Sequence, residues 1–269
     1  MTRIRRGYVE VQDGQVHYAM SGDAGARPIV LFHQTASSSA MFEPMMQRLA
    51  PRRCVALDSP GFGGSTPGAV VSIEAWAETL DGALEALGIE HMDVVGHHTG
   101  AAVALAVARR RLQSVCSLTL GGPPLLSEKT RDRIRRRATR VSRVEADGTH
   151  LLDAWRLATS YAPRGPLELV QRETLLYLSA DAPHLAMLAV LDYDFAQAVA
   201  TIECPLLLLA GDADPIIEGI GAVAALRPSA TVAVIPDAGV HVFDEQPDAV
   251  AATLVAFLDD AEVGGHRCQ

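Results

Sequence analysis

Short apolar runs alternating with amphipathic stretches set the plan of this chain. Residues 7 to 20 alternate polar and apolar positions around Asp13-Gly14, a two-residue turn signal, and predict a β-hairpin. Residues 28–33 follow as an apolar run of strand length, and residues 40–49 have helical spacing. Residues 53–58 form another short apolar strand, which runs into the Gly-rich loop Ser59-Pro-Gly-Phe-Gly-Gly-Ser65. Residues 73–87 repeat apolar positions at helical spacing and stop at Gly88. The stretch Asp93-Val-Val-Gly-His-His-Thr-Gly-Ala101 then reads as a strand, a sharp turn and the opening of a small-residue helix, with His98 at the apex. A further strand, residues 114–120, closes on Gly121-Gly-Pro-Pro124.

This alternation of strands and helices predicts a mostly parallel sheet with helices on both faces. The rhythm breaks over residues 124–199, which hold several helical patterns and no convincing strand. It resumes with the apolar strand 205–211, a helix after Pro215, the strand 231–235 and a closing helix from Pro247. The expected organisation is therefore a core of residues 1–123 and 200–269, with 124–199 inserted as a helical cap. An insertion at that place can cover the carboxyl ends of the strands, where open α/β sheets bind ligands. Residues 264–269 read as a loose tail.

Composition narrows the partners. With 269 residues and 49% hydrophobic positions the chain can bury a full core, and its formal net charge of -9 disfavours nucleic acid and anionic membranes. A small-molecule substrate is the expected partner; oligomeric state is not readable. The basic start Met1-Thr-Arg-Ile-Arg-Arg6 precedes polar, strand-like sequence, and no run of 18 apolar residues follows. A soluble, cytoplasmic protein is expected. The four cysteines, Cys54, Cys116, Cys204 and Cys268, are widely spaced without a C-x-x-C pair and read as reduced thiols. One basic cluster stands out, Arg131, Arg133, Arg135, Arg136, Arg137, Arg140 and Arg143. With Glu128, Asp132 and Glu145 mixed in, a solvated, ion-paired helix face is the plainer reading, and a bias of a pocket mouth towards acidic ligands the sharper one.

The chemistry-bearing motifs, taken in order, resemble the α/β-hydrolase fold superfamily. They are the leading hairpin, Leu31-Phe-His-Gln34, Asp58-Ser-Pro-Gly-Phe-Gly-Gly-Ser65, the turn at His98, the helical cap, Gly211-Asp-Ala-Asp214, and Gly239-Val-His241 before Glu245-Gln-Pro247. The resemblance implies the α/β-hydrolase fold and a nucleophile elbow of the form G-x-nucleophile-x-G. Here that stretch is Gly96-His97-His98-Thr99-Gly100, so histidine stands where the family carries serine, aspartate or cysteine. His tolerates positive φ better than most side chains, and the helix N-terminus behind it disfavours the charged ring. His98 is thus a candidate general base or nucleophile, against the plain reading of a degenerate elbow.

By the same resemblance the backbone N–H groups of Thr35 and Thr99 are the oxyanion donors, and Asp214 is the acid, with Asp212 a weaker alternative. His241 is the base that Asp214 would orient, although ungapped spacing back from Pro247 puts the usual histidine column on Val240. Gln34 and His33 are placed as substrate contacts, and His97 as packing behind the elbow. No cofactor is implied. Adjacent histidines hint at a metal, but side chains at successive positions of a tight turn diverge, and no metal site is expected. Two readings stay open: an enzyme hydrolysing an ester, lactone or C–C bond, or catalysing a lyase, decarboxylase or cyclase reaction, and a ligand-binding homologue without turnover.

Overall fold

A computed structural model describes residues 3–139, 143–163 and 165–263. Arg140 of the basic cluster and the tail 264–269 lie outside the described residues. The hairpin forms as β1 (Arg5–Val11) and β2 (Gly14–Ser21), antiparallel, with Val11 paired to Gly14. Then come β3 (Ile29–Phe32), a 3-10 turn (Ser39–Phe42) that leads into α1 (Glu43–Arg48), β4 (Cys54–Leu57), α2 (Ile73–Ala86) and β5 (Met92–His97). The first half ends with α3 (Thr99–Arg110) and β6 (Val115–Gly121). Among the described residues five helices follow without a strand: α4 (Glu128–Ala138), α5 (Thr149–Tyr161), α6 (Leu167–Ser179), α7 (Pro183–Asp192) and α8 (Phe195–Ala200). The chain returns to the sheet with β7 (Leu206–Gly211), α9 (Glu218–Leu226), β8 (Thr231–Ile235), α10 (Val242–Glu245) and α11 (Pro247–Val263).

The eight strands make one sheet in the order β1-β2-β4-β3-β5-β6-β7-β8, parallel throughout from β4 to β8. Every residue of β3, β4, β5, β6 and β7 is buried, because helices cover both faces. That is why these strands appear in sequence as unbroken apolar runs instead of alternating ones. On one face α2 and α3 pack with Phe32, Trp76 and Leu118, and on the other α1 and α11 pack with Leu31, Met45 and Leu254. The chain leaves β3 for β4 on one side and returns to β5 on the other. The crevice at this reversal, above the carboxyl ends of β3 and β5, is where an open α/β sheet receives a ligand. His98 follows β5 immediately.

Cysteine chemistry differs from expectation in one respect. Cys54 and Cys204 are free, whereas Cys116 is disulfide-bonded and so is not the reduced thiol expected. Burial pushes the Cys54 thiol up to about 12 and that of Cys204 to about 11, which keeps both protonated and unreactive. Among the described residues no single helix is long and apolar enough to cross a membrane; α6 and α7 pass that test only together, across an 87° bend.

Candidate functional site

A single residue joins β5 to α3. His98 adopts φ 49°, ψ -111°, a strained conformation that swings its side chain out over the sheet. The turn is this tight because two glycines permit it. A Cβ on Gly96 would lie 2.0 Å from the Gly100 carbonyl oxygen, and one on Gly100 would lie 2.0 Å from that of Phe32. Neither position can carry a side chain without moving backbone.

The imidazole reaches the acid directly. His98 Nε2 lies 2.8 Å from Asp214 Oδ2, and Asp214 Oδ1 accepts the backbone N–H of Ile216 at 2.9 Å. Burial alone would raise the Asp214 carboxyl, but the neighbouring charge and hydrogen bond of His98 outweigh it, with His97 and Ile216 adding to them, and hold it below its ordinary value. An ionised acceptor there requires a proton on Nε2, so in the neutral form of the ring it is Nδ1 that carries the lone pair. Gly122, at φ 53°, makes room: a Cβ there would sit 2.4 Å from His98 Cδ2 and 2.5 Å from Nε2.

The pairing expected between Asp214 and His241 is therefore not formed. The ring of His98 occupies the acid's free oxygen, and His241 Nδ1 instead accepts from the Gln34 side-chain amide, Nε2, at 3.1 Å. That bond places the His241 proton on Nε2. Burial lowers His241 to about 4, so the ring is neutral and offers the cavity an N–H donor instead of a base. The histidine does sit one position past the expected column. Val240 points its carbonyl at His97 Nε2, which donates at 2.7 Å.

These groups line a cavity of about 360 Å³ between sheet and cap, within the range of small-molecule sites. His98, Thr99, Thr35, Gln34 and His241 form its floor, and Ile134, Leu157, Met187 and Val190 its apolar roof. Thr99 opens α3, where the first N–H groups have no intrahelical acceptor and are available to a ligand. Tyr161 and Tyr177 line the cavity, whereas Tyr193 belongs to the main core and Trp155 packs on the small cap cluster of Leu169 and Val170. Glu173, buried on α6, also faces the cavity and accepts from Ser37 Oγ at 3.1 Å. Neither it nor Gly122 carries any local sequence signal of a site.

Other candidates are held elsewhere. His33 is not part of the cavity wall: its Nδ1–H donates to the Gln34 carbonyl at 2.8 Å and its Nε2 accepts from Ser59 N–H at 2.9 Å, so it braces two loops. His97 is fully buried behind the elbow, and burial lowers it to about 3, helped by the neighbouring His98. Asp58 accepts from the Ser39 and Gly64 N–H groups and pairs with His17, and Ser65 donates to the Asp58 carbonyl; both are structural. Asp212 accepts from Ala238 N–H at 3.2 Å and so fixes a loop. Ser38 caps the 3-10 turn. Among the described residues no group of three or more His, Cys, Asp or Glu is arranged to hold a metal ion.

Comparison with known proteins agrees with this architecture. The chain is 25% identical over 253 residues to 2-(acetamidomethylene)succinate hydrolase of Mesorhizobium japonicum, covering 88% of this chain and 90% of that protein. It is 26% identical over 252 residues to 2-succinyl-6-hydroxy-2,4-cyclohexadiene-1-carboxylate synthase of Salmonella heidelberg, covering 89% and 96%. Among solved structures, a thermophilic esterase from Thermogutta terrifontis superposes with a TM-score of 0.78 at 26% identity, covering 96% of this chain and 99% of that one. The alpha/beta hydrolase family model matches residues 29–253, which hold the elbow, Asp214 and His241. This chain belongs to the alpha/beta hydrolase family.

Proposed function

We propose that the protein is a cofactor-independent hydrolase that cleaves an ester, lactone or C–C bond of a small organic molecule, with His98 standing at the family's nucleophile position and acting as general base. The observation that carries this reading is the 2.8 Å contact from His98 Nε2 to Asp214 Oδ2, made from a strained backbone that a merely structural histidine would not need.

For an ester the steps balance as follows. His98 Nδ1 takes a proton from a water in the cavity while the water oxygen bonds to the substrate carbonyl carbon. The carbonyl oxygen takes up the electron pair, and the N–H groups of Thr99, Thr35 and His241 Nε2 stabilise its charge. Asp214 stabilises the imidazolium formed on His98. On collapse the C=O re-forms, the C–O bond to the leaving group breaks, and the imidazolium returns its proton to the leaving oxygen. Direct attack by His98 would instead give a short-lived acyl-imidazole.

The test is turnover of a panel of activated esters, lactones and β-diketones. His98→Ala should lower kcat by at least about 100-fold, the span of a positioned base, when compared at a temperature where both proteins are folded. Added imidazole should restore part of the rate. Wild type inert on the whole panel, or His98→Ala as active as wild type, removes this reading. One relative is named as a synthase, which keeps proton abstraction from carbon as a second use of the same base. Solvent ¹⁸O appears in the product of hydrolysis and not in that of an elimination.

A further inference from the structure

Glu173 is the one carboxylate among the described residues that line the catalytic cavity. It stands on α6, in the cap, with its side chain only 9% exposed. Its two oxygens are used unequally. Oε1 accepts from Ser37 Oγ at 3.1 Å and from Arg172 Nε and Nη2 at 3.0 and 2.8 Å. Oε2 accepts from none of the described residues, yet it is not enclosed in the way that the unpartnered His97 Nδ1 is. A carboxylate has about four acceptor positions, and those on Oε2 open on the cavity.

Fastening the cap does not call for this second acid. Arg172 already gives Nη1 and Nη2 to the two oxygens of Asp244. Glu173 adds a like charge beside that pair, and after burial, the larger cause, its charge helps to hold the Asp244 carboxyl above the ordinary value. One guanidinium thus faces two buried acids, and one carboxylate oxygen is left over. The plain reading is a carboxylate that serves Arg172 and Ser37 and leaves Oε2 to water. It accounts for Oε1, but not for the cost of burying a second acid against the wall of a cavity. A donor on the ligand offsets that cost, because a hydrogen bond to a charged acceptor is about twice as strong as one between neutral groups.

We propose that Glu173 determines specificity: its Oε2 accepts a hydrogen bond from an O–H or N–H group of the substrate while the substrate carbonyl lies at His98. This rests on the hydrolase reading for the position of the carbonyl alone. Oε1 is tied to Ser37, two residues past Thr35, whose N–H is the proposed oxyanion donor. Two residues of chain span at most about 7 Å, so the donor group belongs within a few bonds of the carbonyl. The substrate class is then a hydroxy- or amino-substituted ester, lactone or ketone. A hydrocarbon in the same place would leave Oε2 stripped of water and unpaired, which disfavours it.

Binding and turnover are tested separately. For binding, calorimetry compares the anilides of α-, β- and γ-hydroxybutanoic acid with their O-methyl ethers, and the corresponding amino anilides with the same ethers, which tells an alcohol from an amine. At the best position the donor should bind wild type at least about tenfold more tightly than the ether. Glu173→Gln keeps an oxygen for Arg172 and Ser37 and presents an NH2 in place of Oε2, so the preference should vanish while the ether still binds. Ser37→Ala removes a bond to Oε1 alone and should keep the preference, which separates recognition from support of the fold. For turnover, p-nitrophenyl esters of the α- and β-substituted acids should show the hydroxy-to-methoxy ratio of kcat/KM falling towards one in Glu173→Gln, with the loss in KM. No donor favoured over the ether at any position, a preference that survives Glu173→Gln, or one lost equally in Ser37→Ala overturns the assignment. A preference without turnover of any ester leaves the Glu173 contact standing and removes the hydrolase reading.

Discussion

At position 98 the length of a side chain decides which groups become partners. An imidazole on this turn spans the distance to Asp214, so acid and apex pair directly and His241 is released to Gln34. The Gly96-x-His98-x-Gly100 spacing was readable in sequence because the constraint is local: both glycines are fixed by backbone contacts within one turn and the adjoining strand. The pairing was not readable, since assigning Asp214 to His241 presupposes a short apex side chain. Gly122 was hidden for the same reason, its missing side chain being required by a ring from another element. Gly122→Ala tests the arrangement. Its Cβ would fall 2.4 Å from His98 Cδ2 and 2.9 Å from Asp214 Oδ2, so the ring must leave the acid. Displacement of a reacting group by about 1 Å costs on the order of 100-fold in rate, and kcat should fall by that much. The strained φ adds roughly 1 kcal/mol of destabilisation. Unchanged kcat would show that the His98–Asp214 contact does not serve the chemistry. Asp214→Asn should likewise lower kcat while preserving the fold, because it removes the charge that sets the His98 tautomer.

Among the elements, the sheet was legible and the fastening of the cap was not. Strands buried on both faces, such as β3 and β7, announce themselves as apolar runs, and the helix α2 by its apolar spacing and the stop at Gly88. The insertion of α4 to α8 between β6 and β7 showed as a loss of strand rhythm. What docks it is an ion pair between residues 72 positions apart, which no local pattern encodes. Arg172 of α6 donates from Nη1 and Nη2 to the two oxygens of Asp244 on α10, at 2.8 and 2.7 Å, and from Nε and Nη2 to Glu173 Oε1. Asp244 lies three residues after His241, and Ser37, near the Thr35 loop, joins through Glu173. The guanidinium thus ties α6, the His241 segment and the Thr35 loop together. Burial holds the Asp244 carboxyl above its ordinary value even with Arg172 opposing it. Arg172→Met strands two buried carboxylates and should destabilise the protein by about 3 kcal/mol, a cost typical of breaking a buried pair from one side. The loss should concentrate in faster amide exchange over α6 and a raised KM. Arg172→Met/Asp244→Leu, which removes charge from both sides, should recover part of the stability. No recovery would mean that packing of the arginine stem, and not charge compensation, holds the cap.

The molecule as a whole should be acid-sensitive, and the sign follows from where its histidines lie. Neither His97 nor His241 can be charged where it sits: burial lowers them to about 3 and about 4. In the unfolded chain both titrate near the free value of about 6.5. Below that pH the unfolded state binds protons that the folded state does not, so stability falls as pH falls. Each histidine contributes a slope of about 1.4 kcal/mol per pH unit, ending near the folded value of each ring, and above pH 7 neither contributes any slope. Asp58 and Asp214 extend the trend to lower pH. Burial opposes their ionisation, but the partners of each, His17 and His98 foremost, hold both carboxyls below their ordinary values, so the stability they supply is lost only as pH falls through those lowered values. Asp244 and Glu245, held above the ordinary range by burial, act in the opposite sense and moderate the loss. The sequence displayed nine histidines without distinguishing these two, because burial beneath a cap is a property of the assembled layers. Urea unfolding at successive pH values measures the slope between about 6.5 and 4, and His241→Gln should reduce it by about 1.4 kcal/mol per unit. A slope unaltered by that substitution would mean that His241 is accessible to protons in the folded state. It could not then remain the neutral donor assigned to it at the floor of the cavity.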